Sequence, residues 1–271
     1  MSDVTTAPRK ERGYLRPKAL LPVLTHYCAG CGHGVVHKLI AEIVDEWKIR
    51  DRIIGMAPVG CAVLAYNYLD FDMCESPHGR TPAVATGIKR VHPDHIVFSY
   101  QGDGDLAAIG MCEIIHAANR GENITVIFIN NAIYGMTQGQ MAPTTLMGQP
   151  TWTSPKGRDA KLHGHPIRVC ELLATLDGSS YLARTAVTSP RGVRQTKKAI
   201  ERGFRTQQER RGFSLIEVLS PCPTYWRMNM EESLRFVDEQ MTKTFPLGVF
   251  KDWVDGGDAT TQRRGDAGKQ D

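Results

Sequence analysis

Two apolar runs, each closed by a small polar cluster, constrain this chain more than any other feature. His-Ile-Val-Phe-Ser-Tyr (95–100) leads into Gln101-Gly102-Asp103-Gly104-Asp105, and Ile-Thr-Val-Ile-Phe-Ile (124–129) leads into Asn130-Asn131. Both runs read as strands, and the chain between them suffices for one crossover helix, so they are expected as neighbours. Open α/β sheets place ligands at the ends of their parallel strands. Glycines at 102 and 104 let the backbone come close to a diphosphate. An Asp and an Asn side chain, with a loop carbonyl, suit Mg²⁺ bound jointly by protein and phosphates.

The rest of the chain alternates in the same sense. Val35, Val36, Leu39, Ile40, Ile43, Val44 and Trp47 fall at helical spacing, and Ile53–Met56 is a short strand. A helix is expected over Leu106–Asn119, with its N-terminus aimed at the diphosphate position. Strands follow at 182–187 and 214–219, separated by a helix from about Val193 to Arg210. The pattern predicts an α/β fold with a doubly wound, mostly parallel sheet. Residues 134–166, rich in Gly, Pro, Thr and His, form a long loop of the kind that is usually functional. Residues 1–16 read as an N-terminal arm, 17–254 as the domain, and 255–271, nearly free of apolar residues, as a disordered tail.

Composition narrows the function. A chain of 271 residues, 41% hydrophobic, can bury a sizeable core. Its 33 basic and 29 acidic residues contain no basic block of the kind that marks a nucleic-acid surface. No apolar run reaches membrane-span length and the first residues lack a signal peptide's apolar core, so a cytoplasmic location is expected. The seven cysteines then read as reduced thiols or metal ligands rather than disulfides.

Cys28-Ala29-Gly30-Cys31 places two thiols three positions apart in a glycine-rich loop. Such a pair serves a metal centre, a redox dithiol or half of a zinc site. Cys61 follows Pro58-Val59-Gly60, and Cys222 lies in Ser220-Pro221-Cys222-Pro223, each just after a predicted strand. Four cysteines at the ligand edge of the sheet suit a [4Fe–4S] cluster and equally a Cys₄ zinc site. Cys112 and Cys170 sit in apolar helical contexts and are expected as buried thiols; Cys74 has no assigned role.

Gly102-Asp103-Gly104 followed by Asn130-Asn131 resembles the signature of thiamine-diphosphate enzymes. Over almost its whole length the chain resembles the β, thiamine-binding subunit of 2-oxoacid:ferredoxin oxidoreductases. The matching pieces are 27–34, 58–61, 78–80, 101–105, 130–137 and 220–224. The resemblance implies that Asp103, Asn131 and the backbone of Ile133 hold Mg²⁺. It gives Cys28, Cys31, Cys61 and Cys222 to a [4Fe–4S] cluster. Gly102, Gly104, Asp105, Gly135 and Met136 would meet the diphosphate, and Val59, Gly60, Cys61 and Ala62 the thiamine rings. His78 would bond the cofactor or a substrate oxygen, and Glu113 would face an Arg or a neighbouring chain.

The implied reaction is oxidative decarboxylation of a 2-oxoacid with coenzyme A, giving acyl-CoA and CO₂. Electrons would pass to ferredoxin or another carrier, by way of ferredoxin-like γ or δ subunits. The glutamate that activates thiamine is expected on a separate α subunit carrying the pyrimidine-binding domain. Ala62-Val63-Leu64 departs from the Ser and Lys found after this cysteine in related chains. An apolar Leu64 favours branched-chain or aromatic 2-oxoacids over 2-oxoglutarate, and Gln138 stands where Gly is usual. The rivals are a non-redox thiamine decarboxylase or synthase subunit and a zinc-stapled scaffold.

Overall fold

The computed structural model describes residues 15–253. The tail expected over 255–271, and all but the last two positions of the expected arm, fall outside them. The strands are β1 (Ile53–Ala57), β2 (Asp72–Glu75), β3 (Ile96–Gly102), β4 (Thr125–Asn130), β5 (Ser179–Ala186), β6 (Phe213–Leu219) and β7 (Gly248–Asp252). The helices are α1 (His33–Trp47), α2 (Thr81–Val91), α3 (Met111–Asn119), α4 (Ala160–His163), α5 (Val169–Ala174), α6 (Pro190–Gln208), α7 (Pro223–Trp226), α8 (Met230–Phe236) and α9 (Thr242–Thr244).

The strands form one sheet in the order β2-β1-β3-β4-β6-β5-β7. Its pairs are parallel except β7, which runs antiparallel to β5 at the edge. Strands β4 and β6 are buried along their whole length, and β3 up to Gly102. Unbroken apolar runs are what a strand covered on both faces requires. Helices α1 and α6 cover one face and α2, α3 and α5 the other. Val36, Leu39, Ile40, Ile43 and Val44 of α1 are buried, with Val35 and Trp47 partly so, and truncating Ile40 to Ala would cost about 2–5 kcal/mol. The helix stops where Lys48 turns left-handed (φ 55°).

The register positions the site. The chain leaves β1 outward to β2 and returns past it to β3, so the loops after β1 and β3 diverge at a topological switch point. Gly102 of β3 is level with Ile129 of β4, and Asn130 with Leu219 of β6. Asp103, Asn131 and the Ser220–Cys222 segment therefore leave the sheet side by side.

The helix expected over 106–119 takes a different form. It opens at Asp103, widens into a π-helical turn over Asp105–Ile109, and resumes as α3 after Gly110. The Gly110 N–H reaches the Asp105 carbonyl at 2.8 Å, and Gly79 backbone packs directly against Gly110. Single π-turns of this kind collect at functional sites. No helix among the described residues is long and apolar enough to cross a membrane.

Candidate functional site

A pocket at the ends of β1, β3 and β4 is lined by Val59–Ala62, His78, Gly102–Asp105, Asn131, Ile133–Thr137 and His33. Asp103 is its centre. One carboxylate oxygen accepts from the Thr144 hydroxyl (2.7 Å) and the Ile133 N–H (3.2 Å), the other from the Gly104 N–H (2.8 Å). The Asn131 side-chain oxygen accepts from the same Ile133 N–H at 3.3 Å. The three residues expected to share a cation are thus gathered around one peptide. Burial pushes the Asp103 carboxyl up to about 6, against the pull of those donors. A buried acid poised this way is one that a divalent cation would readily ionise.

Thr144 reaches Asp103 because the long loop is stitched from inside by Arg158. Its guanidinium donates to the carbonyls of Pro143 (2.8 Å), Thr145 (2.8 Å), Gly164 (2.9 Å) and His165 (2.8 Å). Gly104 has no room for a side chain, since the Tyr134 ring occupies that space and its hydroxyl donates to the Gly104 carbonyl at 3.2 Å. Asp105 turns away from the pocket centre. Its carboxylate accepts from Gln101 Nε2 (2.6 Å) and Gly79 N–H (2.6 Å) and meets His78 Nδ1 at 2.5 Å. Burial raises its pKa, opposed by those partners. It fixes the His78 loop at the pocket rim.

A second cavity, of about 100 Å³, is lined by Cys28, Cys31, Cys61 and Cys222 together with His26, Tyr27, Asn131, Gly135 and Met136. The four cysteines come from three segments: the Cys28–Cys31 turn, the loop after β1 and the segment after β6. The Cys28–Cys31 turn closes with a Cys31 N–H to Cys28 carbonyl bond (3.1 Å), which brings that pair together. Burial pushes the Cys31 thiol up to about 11 and Cys61 up to about 12, and each is raised further by neighbouring cysteines. Cys222 is shifted upward by the same causes. Mutual repulsion of prospective thiolates is the condition that bound iron would relieve. Among the described residues no group of three or more His, Cys, Asp or Glu side chains is disposed to hold a single metal ion. The sulfurs ring a cavity rather than meet at a point.

The two cavities share a wall made by Cys61, Asn131, Gly135 and Met136. Behind it lies a nest of rings. His33 stacks on Tyr27 (4.8 Å between centroids, 6° between planes) and its Nδ1 meets the Tyr100 hydroxyl at 2.7 Å. Burial lowers His33 and His37 to about 3, so both imidazoles are neutral.

Comparison with known proteins agrees with this geometry. The family described as "Thiamine pyrophosphate enzyme, C-terminal TPP binding domain" matches residues 58–218. A 2-oxoglutarate synthase subunit KorB from Archaeoglobus fulgidus is 38% identical over 230 residues, 85% of this chain and 80% of that one. The chain belongs to the thiamine-diphosphate-binding subunits of 2-oxoacid oxidoreductases. Within this family, the ketoisovalerate oxidoreductase subunit VorA of Methanothermobacter thermautotrophicus is 51% identical over 231 residues, 85% of this chain. The chain spans about half of that relative's length (48%). The solved 2-oxoglutarate:ferredoxin oxidoreductase of Magnetococcus marinus has the same fold: TM-score 0.73, 91% of this chain and 87% of that one, at 24% identity.

Every residue expected around the diphosphate and thiamine lines the first pocket, and the four expected cluster cysteines line the second. Glu113 pairs with Arg80. One expectation is overturned. Cys112 is exposed, because α3 turns Ile114, Ala117 and Ala118 inward and Cys112 to the opposite side; Cys170 is buried as expected. Cys74 lies in β2, packs beside the core and lines neither cavity. Sequence reasoning missed His33, Thr144 and Arg158. His33 was within reach, standing two residues beyond the Cys-x-x-Cys. The other two act across a loop whose path no local pattern encodes.

Proposed function

We propose that this chain is the thiamine-diphosphate- and [4Fe–4S]-binding subunit of a CoA-acylating 2-oxoacid oxidoreductase. The observation that carries the reading is the shared wall: the Asp103 pocket and the cysteine-lined cavity meet at Cys61, Asn131 and Gly135. When bound, thiamine diphosphate supplies carbanion chemistry at the keto carbon of a 2-oxoacid, and an iron–sulfur cluster supplies an acceptor for single electrons.

The chain's own residues then have distinct tasks. Asp103, Asn131 and the backbone of Ile133 would hold Mg²⁺ against the diphosphate. Amides at the Gly102–Asp105 helix start, with Gly135 and Met136, would receive its oxygens. Val59, Gly60 and Ala62 would border the rings, and His78, anchored on Asp105, would bond the cofactor or a substrate oxygen. Cys28, Cys31, Cys61 and Cys222 would hold the cluster. One zinc ion needs thiolates at about 2.3 Å from a single point; sulfurs spread around a cavity suit a larger cluster better.

No glutamate lines the first pocket among the described residues, and both its aspartates are engaged. The activating glutamate therefore falls to an α partner carrying the pyrimidine-binding domain, with a ferredoxin-like subunit or external carrier taking the electrons. The substrate proposed is a branched-chain 2-oxoacid. It rests on the higher identity to a ketoisovalerate subunit (51%) than to a 2-oxoglutarate one (38%), and on apolar Leu64 beside the pocket loop.

The test is anaerobic. The purified complex should carry about four iron and four sulfide per chain and one thiamine diphosphate. Its visible band should bleach faster with 2-oxoisovalerate plus CoA than with 2-oxoglutarate plus CoA. Zinc without iron, or a colourless protein with stoichiometric thiamine, would overturn the redox assignment.

A further inference from the structure

Ala132 adopts a left-handed backbone (φ 57°) although it is fully buried and is not glycine. An L-residue meets a steric penalty there. Something must hold the turn, and its partners are all identifiable. The Ala132 N–H donates to the Asn130 side-chain oxygen (3.1 Å). Its carbonyl accepts from the Thr145 hydroxyl (2.7 Å) and from Gln149 (3.3 Å). Asn130 is itself fixed: its Nδ2 donates to Glu217 Oε1 at 2.8 Å.

Glu217 is an unusual thing to find at the centre of an apolar parallel strand, fully buried. Its second oxygen forms an ion pair with Arg184 Nε at 2.8 Å, and Arg184 is clamped by both oxygens of Glu171 (2.6 and 3.0 Å). None of these groups lines either cavity. A charged network this deep is costly to bury, and here it ends on the one turn that separates Asn131 from Ile133.

The geometry points to Asn130 and Glu217 as positioning residues, which hold Ala132 left-handed so that Asn131 and Ile133 face Asp103. This deepens the reading of that trio as a magnesium–diphosphate site and rests on it. Asn130 accepts with one end of its amide and donates with the other, so neither Asp nor Ala can replace it alone. Two compensations follow. Glycine at 132 removes the steric penalty, and exchanging the donor and acceptor between positions 130 and 217 restores the bond in reverse.

The experiment measures Mg²⁺-dependent binding of thiamine diphosphate to the full chain by calorimetry, with unliganded melting recorded in parallel. Asn130→Ala should weaken binding about 10–100-fold, the usual range for groups that orient a ligand. Asn130→Ala with Ala132→Gly should recover most of that loss without restoring the melting temperature. Asn130→Asp should weaken binding, and adding Glu217→Gln should restore it; this swap decides the matter if the alanine variant does not fold. Failure of wild type to bind thiamine diphosphate would overturn the site reading together with this inference. Wild-type binding with an unaffected Asn130→Ala, or a swap with no recovery, would overturn the positioning role alone.

Discussion

The two cavities are built on opposite plans. Around Asp103 the side-chain oxygens are already engaged: Thr144, Gly104 and Ile133 hold the carboxylate, and Ile133 also holds Asn131. Around Cys61 the four thiols come from three segments, and burial, reinforced by neighbouring cysteines, pushes the thiols of Cys31, Cys61 and Cys222 up. The first site is shaped by the protein's own hydrogen bonds; on the proposed reading, the second would take its final form from its metal. Preorganisation by hydrogen bonds lowers the cost of binding a weakly held ion such as Mg²⁺. Iron bonded to thiolate is strong enough to organise its own ligands.

The sharpest way to break this contrast is to remove single sulfurs. Cys28→Ala and Cys222→Ala should each drop iron from about four per chain to nearly none while leaving thiamine diphosphate affinity within about threefold. Cys61→Ala, whose residue borders both cavities, should impair both. Equal loss of both ligands in all three variants would mean that the sites are one folding unit. Next in size is Asp103→Asn, which should cut Mg²⁺-dependent thiamine diphosphate affinity by about 100-fold and spare the iron content.

Arg158→Lys tests whether the loop is truly preset. Lysine cannot reach the several carbonyls that one guanidinium spans, so Thr144 should loosen and affinity fall about tenfold. Calorimetry with unchanged affinity would place the rigidity elsewhere. A smaller effect concerns the rings behind the shared wall. Burial lowers His37 from 6.5 to about 3, so its neutral form belongs to the folded state. The stability this confers is complete above pH 6.5 and is lost as pH falls towards 3. His37→Phe should flatten that acid limb in urea midpoints measured against pH. Smallest of all, Cys112→Ser on the exposed side of α3 should change stability by no more than about 0.5 kcal/mol.

Much of this site was legible because its chemistry sits at strand ends. The runs before Gly102 and Asn130 are predominantly apolar, since both faces of the sheet are covered, and such runs announce themselves. Strands β2 and β7 escaped for the converse reason. Both are edge strands, short and half exposed, and Gly-Val-Phe-Lys-Asp carries no alternation that would mark it. Helix α2 carries Gly87 and few large apolar residues, so its helical periodicity is weak in the sequence. The acid–base identity of Asp103 could be read from its glycines, but the donors that tune it could not. Thr144 arrives through Arg158, which binds only backbone carbonyls and leaves no complementary side chain to recognise. Glu217 reads as an anomaly in an apolar strand and finds its meaning only beside Arg184 and Asn130.

Gly135 gives the partition its thickness. A β-carbon there would stand 3.2 Å from Cys61 Sγ, 3.7 Å from Cys222 Sγ and 3.9 Å from Asn131 Nδ2. One absent methyl group thus sets how near the two chambers lie and, on the proposed reading, the span an electron would cross. A side chain at this position would press first on Cys61, the residue that borders both chambers.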